Sequence, residues 1–382
     1  MMVPLLLVLL AFGLSVTFAV IVNGWRETAT REMEAMTIGA DVASPQRTVA
    51  MIIPARDAAG PIIPLLQDLY AQRYDRERVS VIVVDDDSGD ATVERVRGLM
   101  ARWPGLRLLT SDGAGKKAAI TTAVLATDAD WILMTDADGR CGPERLRLVI
   151  AHAERTASDL VILPVATDGT GMLGRLQENE QAALMMCAAG EALQGRPMLA
   201  NGANLAFRRT AFMDVRGFEG DRYASGDDIF LVQRMRRAGK RISYLLHPDA
   251  VVRVEGERTW TGFFRQRIRW AGKMNGVPWR AKWMPATGIL FPWLLLVVTL
   301  LTDWPALVGT RFFMAALLMA GAWLIWATAV PPLVRDGQRF LGQRGSLTGA
   351  MLGYSCFTVY SLVLAILAPV FSTIWKGRRI TK

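Results

Sequence analysis

In Trp131-Ile132-Leu133-Met134-Thr135-Asp136-Ala137-Asp138-Gly139, a run of mostly apolar residues ends in two carboxylates one residue apart. The apolar part reads as a buried strand, and the carboxylates fall at its C-terminal end. In an open α/β sheet, ligands bind outside the carboxyl ends of the strands. A one-residue spacer lets Asp136 and Asp138 share one hard divalent cation with phosphate oxygens, the usual way Mg²⁺ is held. Turn chemistry after a strand is the competing reading, because Asp is favoured there for local hydrogen bonds. The surrounding chain decides between the two.

On the N-terminal side, strand and helix patterns alternate. Val49 to Pro54 reads as a strand, followed by a helix with Ile62, Leu65, Leu66 and Leu69 on one face. Val79 to Val84 is a near-continuous apolar strand of the kind buried on both faces of a parallel sheet, and it ends in Asp85-Asp86-Asp87-Ser88. A helix carrying Val93, Val96 and Met100, a strand at Leu106 to Leu109 and a helix from about Lys116 to Ala126 complete the series. This alternation predicts an α/β fold with a mostly parallel sheet. No GxGxxG follows the first strand, which disfavours a dinucleotide oxidoreductase.

On the C-terminal side the pattern is less regular. Asp159 to Val165 reads as a strand, Leu173 to Gln194 as a long helix, and Asn201-Gly202-Ala203-Asn204 as a loop. Asp227 to Ala238 reads as a helix opened by a Ser225-Gly226-Asp227-Asp228 turn, where two carboxylates also suit the helix dipole. From Thr259 to Lys273, Trp260, Phe263, Phe264, Ile268 and Trp270 alternate with Arg265, Arg267, Arg269 and Lys273. This predicts an amphipathic helix in a membrane interface, with Trp260, Phe263 and Phe264 in the headgroup region. Nucleic acid binding through basic groups and stacking aromatics is the rival, disfavoured because bilayer-length apolar segments begin a few residues later.

The 382 residues are 52% hydrophobic, and the apolar runs lie at the two ends. Val3 to Val22 is long enough to span a bilayer, lacks a basic leader and is followed by Arg26 and Arg31. It reads as an uncleaved anchor with the head on the cytoplasmic side, in preference to a signal peptide. Three further apolar segments run near Ile289 to Leu301, Phe312 to Val330 and Ala350 to Phe371. Three crossings would put Lys376-Gly377-Arg378-Arg379 outside, against the positive-inside tendency, so one segment is expected to be re-entrant or interfacial. The net charge of +9 is concentrated beside these segments, where an anionic membrane surface accounts for it without nucleic acid. Three cysteines and two histidines in no ligand spacing leave zinc, disulfide and Ser-His-Asp chemistry without support. The expected organisation is an anchor over 1–24, a linker or short helix over 25–47, a head over 48–258, an interface segment over 259–284 and a membrane region over 285–382.

Taken in order, Pro54-Ala55-Arg56-Asp57, Asp85-Asp86-Asp87-Ser88, Gly115-Lys116-Lys117, Asp136-Ala137-Asp138, Gly226-Asp227-Asp228 and Gln266-Arg267-Ile268-Arg269-Trp270 resemble a membrane-bound family 2 glycosyltransferase with a GT-A fold. The final Gln-x-x-Arg-Trp is similar to the cellulose and hyaluronan synthase branch. The resemblance implies a nucleotide-sugar donor, a UDP-sugar by expectation, a lipid or lipid-linked acceptor, Mg²⁺ or Mn²⁺, inversion at the anomeric centre and residence in the bacterial cytoplasmic membrane. It assigns Asp138, with Asp136, to the metal, and Pro54, Ala55, Asp57, Asp86, Asp87, Lys116, Lys117 and Ala137 to the donor site. By the same resemblance Asp228 is the base, with Asp227 standing where Glu is commoner, and Gln266, Arg269 and Trp270 meet the diphosphate and acceptor. Asn201, Gly202 and Asn204 are expected to shape the acceptor pocket. Two rival functions are a processive polysaccharide synthase, which the short tail disfavours, and a non-catalytic nucleotide-sugar-binding membrane subunit.

Overall fold

The computed structural model describes residues 2–37, 46–221, 226–273, 279–305, 307–367, 373–375 and 378–380. Helix α1 (Met2–Thr37) leads into the head, which contains β1 (Val49–Ala55), α2 (Ile62–Tyr70), β2 (Val79–Asp85), α3 (Thr92–Met100), β3 (Leu106–Thr110), α4 (Lys116–Leu125) and β4 (Trp131–Met134). Then follow β5 (Arg140–Cys141), α5 (Arg145–Arg155), β6 (Leu160–Ile162), β7 (Val165–Asp168), α6 (Gly171–Leu193), β8 (Leu205–Arg208), α7 (Arg209–Asp214), α8 (Asp227–Arg237), β9 (Ile242–Tyr244) and β10 (Val252–Glu255). The chain closes with α9 (Trp260–Lys273), α10 (Trp279–Leu301), α11 (Thr310–Phe340), α12 (Leu347–Leu367) and the hairpin β11 (Thr373–Trp375) and β12 (Arg378–Ile380).

The central sheet has the order β3-β2-β1-β4-β8-β6-β9. Strands β3, β2, β1 and β4 run parallel, whereas β8 is antiparallel to both β4 and β6. Alternate residues of β1 feed two cores: Ala50 and Ile52 face one, and Val49, Met51 and Ile53 face the other. Burial on both faces is what an unbroken apolar strand encodes. Register then places the functional edge. Met134 pairs with Ile52 on one side and Leu205 on the other, so the Asp136–Asp138 turn lies between the end of β1 and the loop that enters β8.

Two expectations change. The strand predicted over Asp159 to Val165 is split into β6 and β7, which belong to different sheets. Pro164 sits at the break and has no N–H for a ladder; its carbonyl accepts from Val252 N instead. The segment after the anchor, read as a linker or a short helix, is helical in its first part, and it forms no separate helix but continues the anchor helix to Thr37. Residues 38–45 of that linker, Ser225 and residues 274–278 of the interface segment lie outside the described residues.

Helix α6 is the platform between head and tail. It packs on α1, α11 and α12, with β7 and β9 also against it. Small residues permit the close approaches. A Cβ on Gly190 would lie 2.4 Å from the Cβ of Trp25 on α1, and one on Gly337 of α11 would lie 2.7 Å from Met186. Trp25 Nε1 donates to Glu191 at 2.6 Å, and Arg26 pairs with Asp336 at 2.6 Å. Spans Leu5–Ala35, Thr310–Phe340 and Leu347–Ile366 are long and apolar enough to cross a membrane, whereas Ala286–Leu301 is a shorter apolar helix.

Gly190→Val is expected to force α1 off α6. Overpacking at such a contact costs about 1–3 kcal/mol. The thermal midpoint of the full chain in detergent should fall, while Gly98→Val, at a position where a Cβ meets nothing within 4 Å, should not lose this contact.

Candidate active site

The C-terminal ends of β1, β2 and β4 converge with the entries to α4, β8 and α8. At the first strand end, Pro54 is half-buried and Ala55 is buried, and the Ala55 carbonyl accepts from Asp86 N at 2.8 Å. Asp57 has φ 45°; its N–H donates to Ser88 Oγ at 3.0 Å and its Oδ1 accepts from Gly89 N at 2.8 Å. These bonds tie the loops after β1 and β2 together. Asp86 is buried, and its Oδ1 accepts from Gly115 N at 3.0 Å, which fixes the start of α4. Asp87 is exposed, and Arg56 reaches the Asp86 carbonyl at 2.6 Å and Asp87 Oδ2 at 3.4 Å.

The two lysines at the start of α4 have different surroundings. Lys116 Nζ lies 2.6 Å from Asp136 Oδ1 and 2.9 Å from Asp227 Oδ2. Burial would lower its pKa, but the two carboxylates outweigh that and hold the ammonium above the ordinary lysine range. Lys117 turns elsewhere: it pairs with Asp221 at 3.0 Å and stands 4.5 Å over the Phe230 ring. Its place is that of a tether for the chain before α8, beside Arg234, which also pairs with Asp221. Among the donor-site residues, the structure brings Lys116 to the acidic centre and leaves Lys117 outside it.

Asp136 is partly exposed, Ala137 is buried and Asp138 is exposed. Gly139 closes this turn because a Cβ there would meet Thr135 and Val252 at 3.0 Å. The 201–204 loop crosses over the same centre. Asn201 Oδ1 accepts from Ala203 N at 3.0 Å, and Gly202 N donates to Asp228 Oδ2 at 3.3 Å. A Cβ on Gly202 would lie 2.5 Å from Asp227 Oδ2 and 2.8 Å from Lys116 Nζ, so only glycine lets the backbone come this close. Asp227 and Asp228 are both buried in the first turn of α8, after Gly226 at φ 90°. Asp228 Oδ1 also accepts from Ile229 N at 2.7 Å.

Asn204 is not in an open pocket. It is fully buried behind the site, donating to the Pro164 and Ala250 carbonyls at 2.7 and 2.8 Å. Its Oδ1 accepts twice from the fully buried Arg145, at 3.0 and 2.8 Å. Arg145 also donates to the carbonyl of Met134, just before the Asp-x-Asp turn. Burial lowers the Arg145 pKa, with the Cys141 thiol acting in the opposite direction. The expected acceptor role of Asn204 is therefore replaced by a structural one: a buried amide is held there because it must satisfy a buried guanidinium. Nothing in the sequence flags Arg145, since an arginine at the start of a helix ordinarily reads as solvated.

Helix α9 brings a second cation. Burial lowers the Arg269 pKa, opposed by the fields of Asp136, Asp227, Asp228 and Glu257. Gln266 and Trp270 are half-buried. The aromatic face divides: Trp260 and Phe264 are exposed at 44% and 37%, but Phe263 is 0% exposed. Phe263 packs on Leu173, Leu176 and Tyr360 within the protein, which corrects its expected place among lipid headgroups. Arg267 is likewise buried and paired with Glu180 rather than part of a solvated basic face.

Known proteins resemble this chain chiefly over its head. Residues 50–215 match the family model described as Glycosyl transferase family 2. The probable glycosyltransferase YdaM of Bacillus subtilis is 25% identical over 233 residues, 58% of this chain and 54% of that protein. The beta-monoglucosyldiacylglycerol synthase of Synechocystis is 25% identical over 232 residues, 59% of this chain and 48% of that protein. The chain thus spans about half the length of these curated relatives. Among solved structures, the mannosyltransferase PcManGT of Pyrobaculum calidifontis superposes with a TM-score of 0.53 at 20% identity, covering 92% of this chain and 99% of that one. The head thus has a GT-A fold, and residues 50–215 of it match the family 2 glycosyltransferase model.

Asn204→Ala is expected to strand the Arg145 guanidinium. Removing one partner of a buried charge-assisted bond costs about 3 kcal/mol. A clear drop in thermal midpoint is the expected outcome for Asn204→Ala. Asn201→Ala, which removes one turn hydrogen bond at a half-buried position, should cost about 1 kcal/mol.

Proposed function

We propose that the protein is an inverting, metal-dependent glycosyltransferase of the bacterial cytoplasmic membrane, with its head on the cytosolic side. It transfers a sugar from a nucleotide-sugar donor, a UDP-sugar by expectation, to a lipid or lipid-linked acceptor. The observation that carries this is the contact of Lys116 with Asp136 and Asp227 at the strand ends, with Arg269 in the field of these carboxylates and of Asp228. Three carboxylates against two cations leave the cluster suited to a divalent ion together with an anionic diphosphate. The site lies beside α9; of the three helices apolar enough to cross a membrane, α11 and α12 follow it in the chain and α1 precedes it. The Gln-x-x-Arg-Trp at 266–270 supports placement with the cellulose and hyaluronan synthase branch. The name of the Synechocystis relative specifies a diacylglycerol lipid product, which supports a lipid acceptor here. PcManGT was solved with GDP-Man and Mn²⁺, which supports both a nucleotide-sugar donor and Mn²⁺ or Mg²⁺.

The donor set fits such an ion. Asp136 and Asp138 offer hard carboxylate oxygens one residue apart just beyond the end of β4. That is the arrangement expected where one or two carboxylates share the ion with substrate phosphates. When bound, the ion supplies charge stabilisation to the departing diphosphate. Lys116 and Arg269 add to that stabilisation as negative charge grows on the leaving group. Asp57 and Asp86 flank the donor side, where carboxylates accept from base and ribose N–H and O–H groups; Asp87, exposed, lies at its rim. On the acceptor side, Asp227 is engaged by Lys116, and Asp228 accepts backbone N–H groups from Gly202 and Ile229 that fix the plane of its carboxylate. Asp228 takes the acceptor hydroxyl proton, and the resulting oxygen attacks opposite the diphosphate, which inverts the anomeric carbon.

Incubation of membranes holding the full chain with a panel of labelled UDP- and GDP-sugars tests the reading. Transfer of label to lipid is expected, and its loss in excess EDTA. Asp138→Asn should remove activity at all practical Mg²⁺ or Mn²⁺ concentrations without unfolding the exposed turn. Turnover that persists unchanged in EDTA would exclude the metal.

Asp228→Asn should lower turnover by about 10² to 10⁴, the usual contribution of a general base, with nucleotide affinity changed by less than about threefold. Asp227→Asn should cost less. Calorimetry of nucleotide binding alongside turnover separates the two. A dead Asp227→Asn beside an active Asp228→Asn would reverse the assignment.

A further inference from the structure

Arg267 and Arg269 are two residues apart on α9, about 200° around a helix, so they serve opposite sides. Arg269 feels the fields of Asp136, Asp227 and Asp228. Arg267 faces α6, where its Nε and Nη2 both reach Glu180 Oε2, at 3.0 and 2.5 Å. The two side chains are 6% and 7% exposed. The guanidinium also lies 4.0 Å from the Phe263 ring centre and 4.7 Å from that of Trp270, and it donates to Gln266 Oε1. One buried cation thus touches both Gln266 and Trp270, the outer residues of the Gln-x-x-Arg-Trp stretch. Three residues earlier on α6, Gln177 grips the chain that enters α9. Its Nε2 donates to the Glu257 carbonyl at 2.9 Å, and its Oε1 accepts from Glu257 N at 2.8 Å.

A buried ion pair is weak evidence for stability, because desolvation offsets much of the attraction. What a forked, stacked guanidinium supplies is geometry. We propose that Glu180 and Arg267 are positioning residues: a strut from α6 that sets the rotation of α9, and with it the placement of Gln266, Arg269 and Trp270 against the diphosphate. This rests on the glycosyl-transfer reading above for its consequence, but the strut itself does not. Anchoring of α9 by membrane partitioning alone would leave its rotation insensitive to Glu180.

The test uses the full chain in detergent, wild type beside Glu180→Gln and the double variant Glu180→Met/Arg267→Met. The double variant leaves no stranded charge, so it guards against simple misfolding. Hydrogen exchange of peptides covering residues 260–273 reads the strut without reference to any reaction. Both variants are expected to lose protection there, while peptides of the central sheet keep theirs. Turnover should fall about 10- to 100-fold, the effect of small misplacement at a reacting centre, with the donor KM changed by less than about threefold. A double variant with wild-type protection over 260–273 and wild-type turnover would overturn the proposal. Exchange altered as expected, in a protein whose wild type transfers no sugar from the panel, would instead overturn the functional reading and leave the strut standing.

Discussion

The ammonium of Lys116, held between Asp136 and Asp227, is the contact on which the arrangement of the site depends. Each partner arrives on a different element: the start of α4, the end of β4 and the first turn of α8. Without a cation between them, two carboxylates in a partly buried setting would repel. The contact also explains why glycine occupies position 202, since a side chain there would collide with the pair. The backbone of that loop can then reach Asp228 as well.

Behind this front layer stands a second one, a buried guanidinium held by a neutral amide and a backbone carbonyl. Arg145 and Asn204 link the end of β4 to the entry of β8 from the rear, and Asn204 carries the linkage on to Pro164 and Ala250. The carboxylates in front can therefore carry charge without also holding the strands in register. The rigidity comes from a dry hydrogen-bond network, and the chemistry stays at the partly exposed surface.

Helix α6 joins the head to the apolar helices. On one part of its surface Gly190 and Glu191 receive α1; on another, Gln177 and Glu180 grip the chain around α9. The chain around α9 and the apolar helix α1 thus pack on one and the same helix.

Much of this was legible in the chain itself. Runs such as Val79 to Val84 and 131–134, separated by helical periods, determine an α/β fold with a parallel sheet, because burial on both faces demands continuous apolar strands. Asp136, Asp138, Asp227, Asp228 and Lys116 were visible as candidates because charged residues at strand ends and helix starts are local patterns. Partners far apart in sequence were not. Arg145 meets Asn204 across 59 residues and Arg267 meets Glu180 across 87, and no local pattern encodes either pairing. Periodicity put Phe263 on an apolar face, but only the packing of α9 against α6 and α12 decided that this face meets protein rather than lipid. Likewise, two adjacent lysines are equivalent as sequence, and the turn of α4 alone sends Lys116 to the carboxylates and Lys117 to Asp221. Local periodicity determines most of the elements and where their apolar residues fall; the burial of charged residues such as Arg145 and Arg267, and the choice of partner, are decided by the tertiary structure, because they depend on how separate elements are brought face to face.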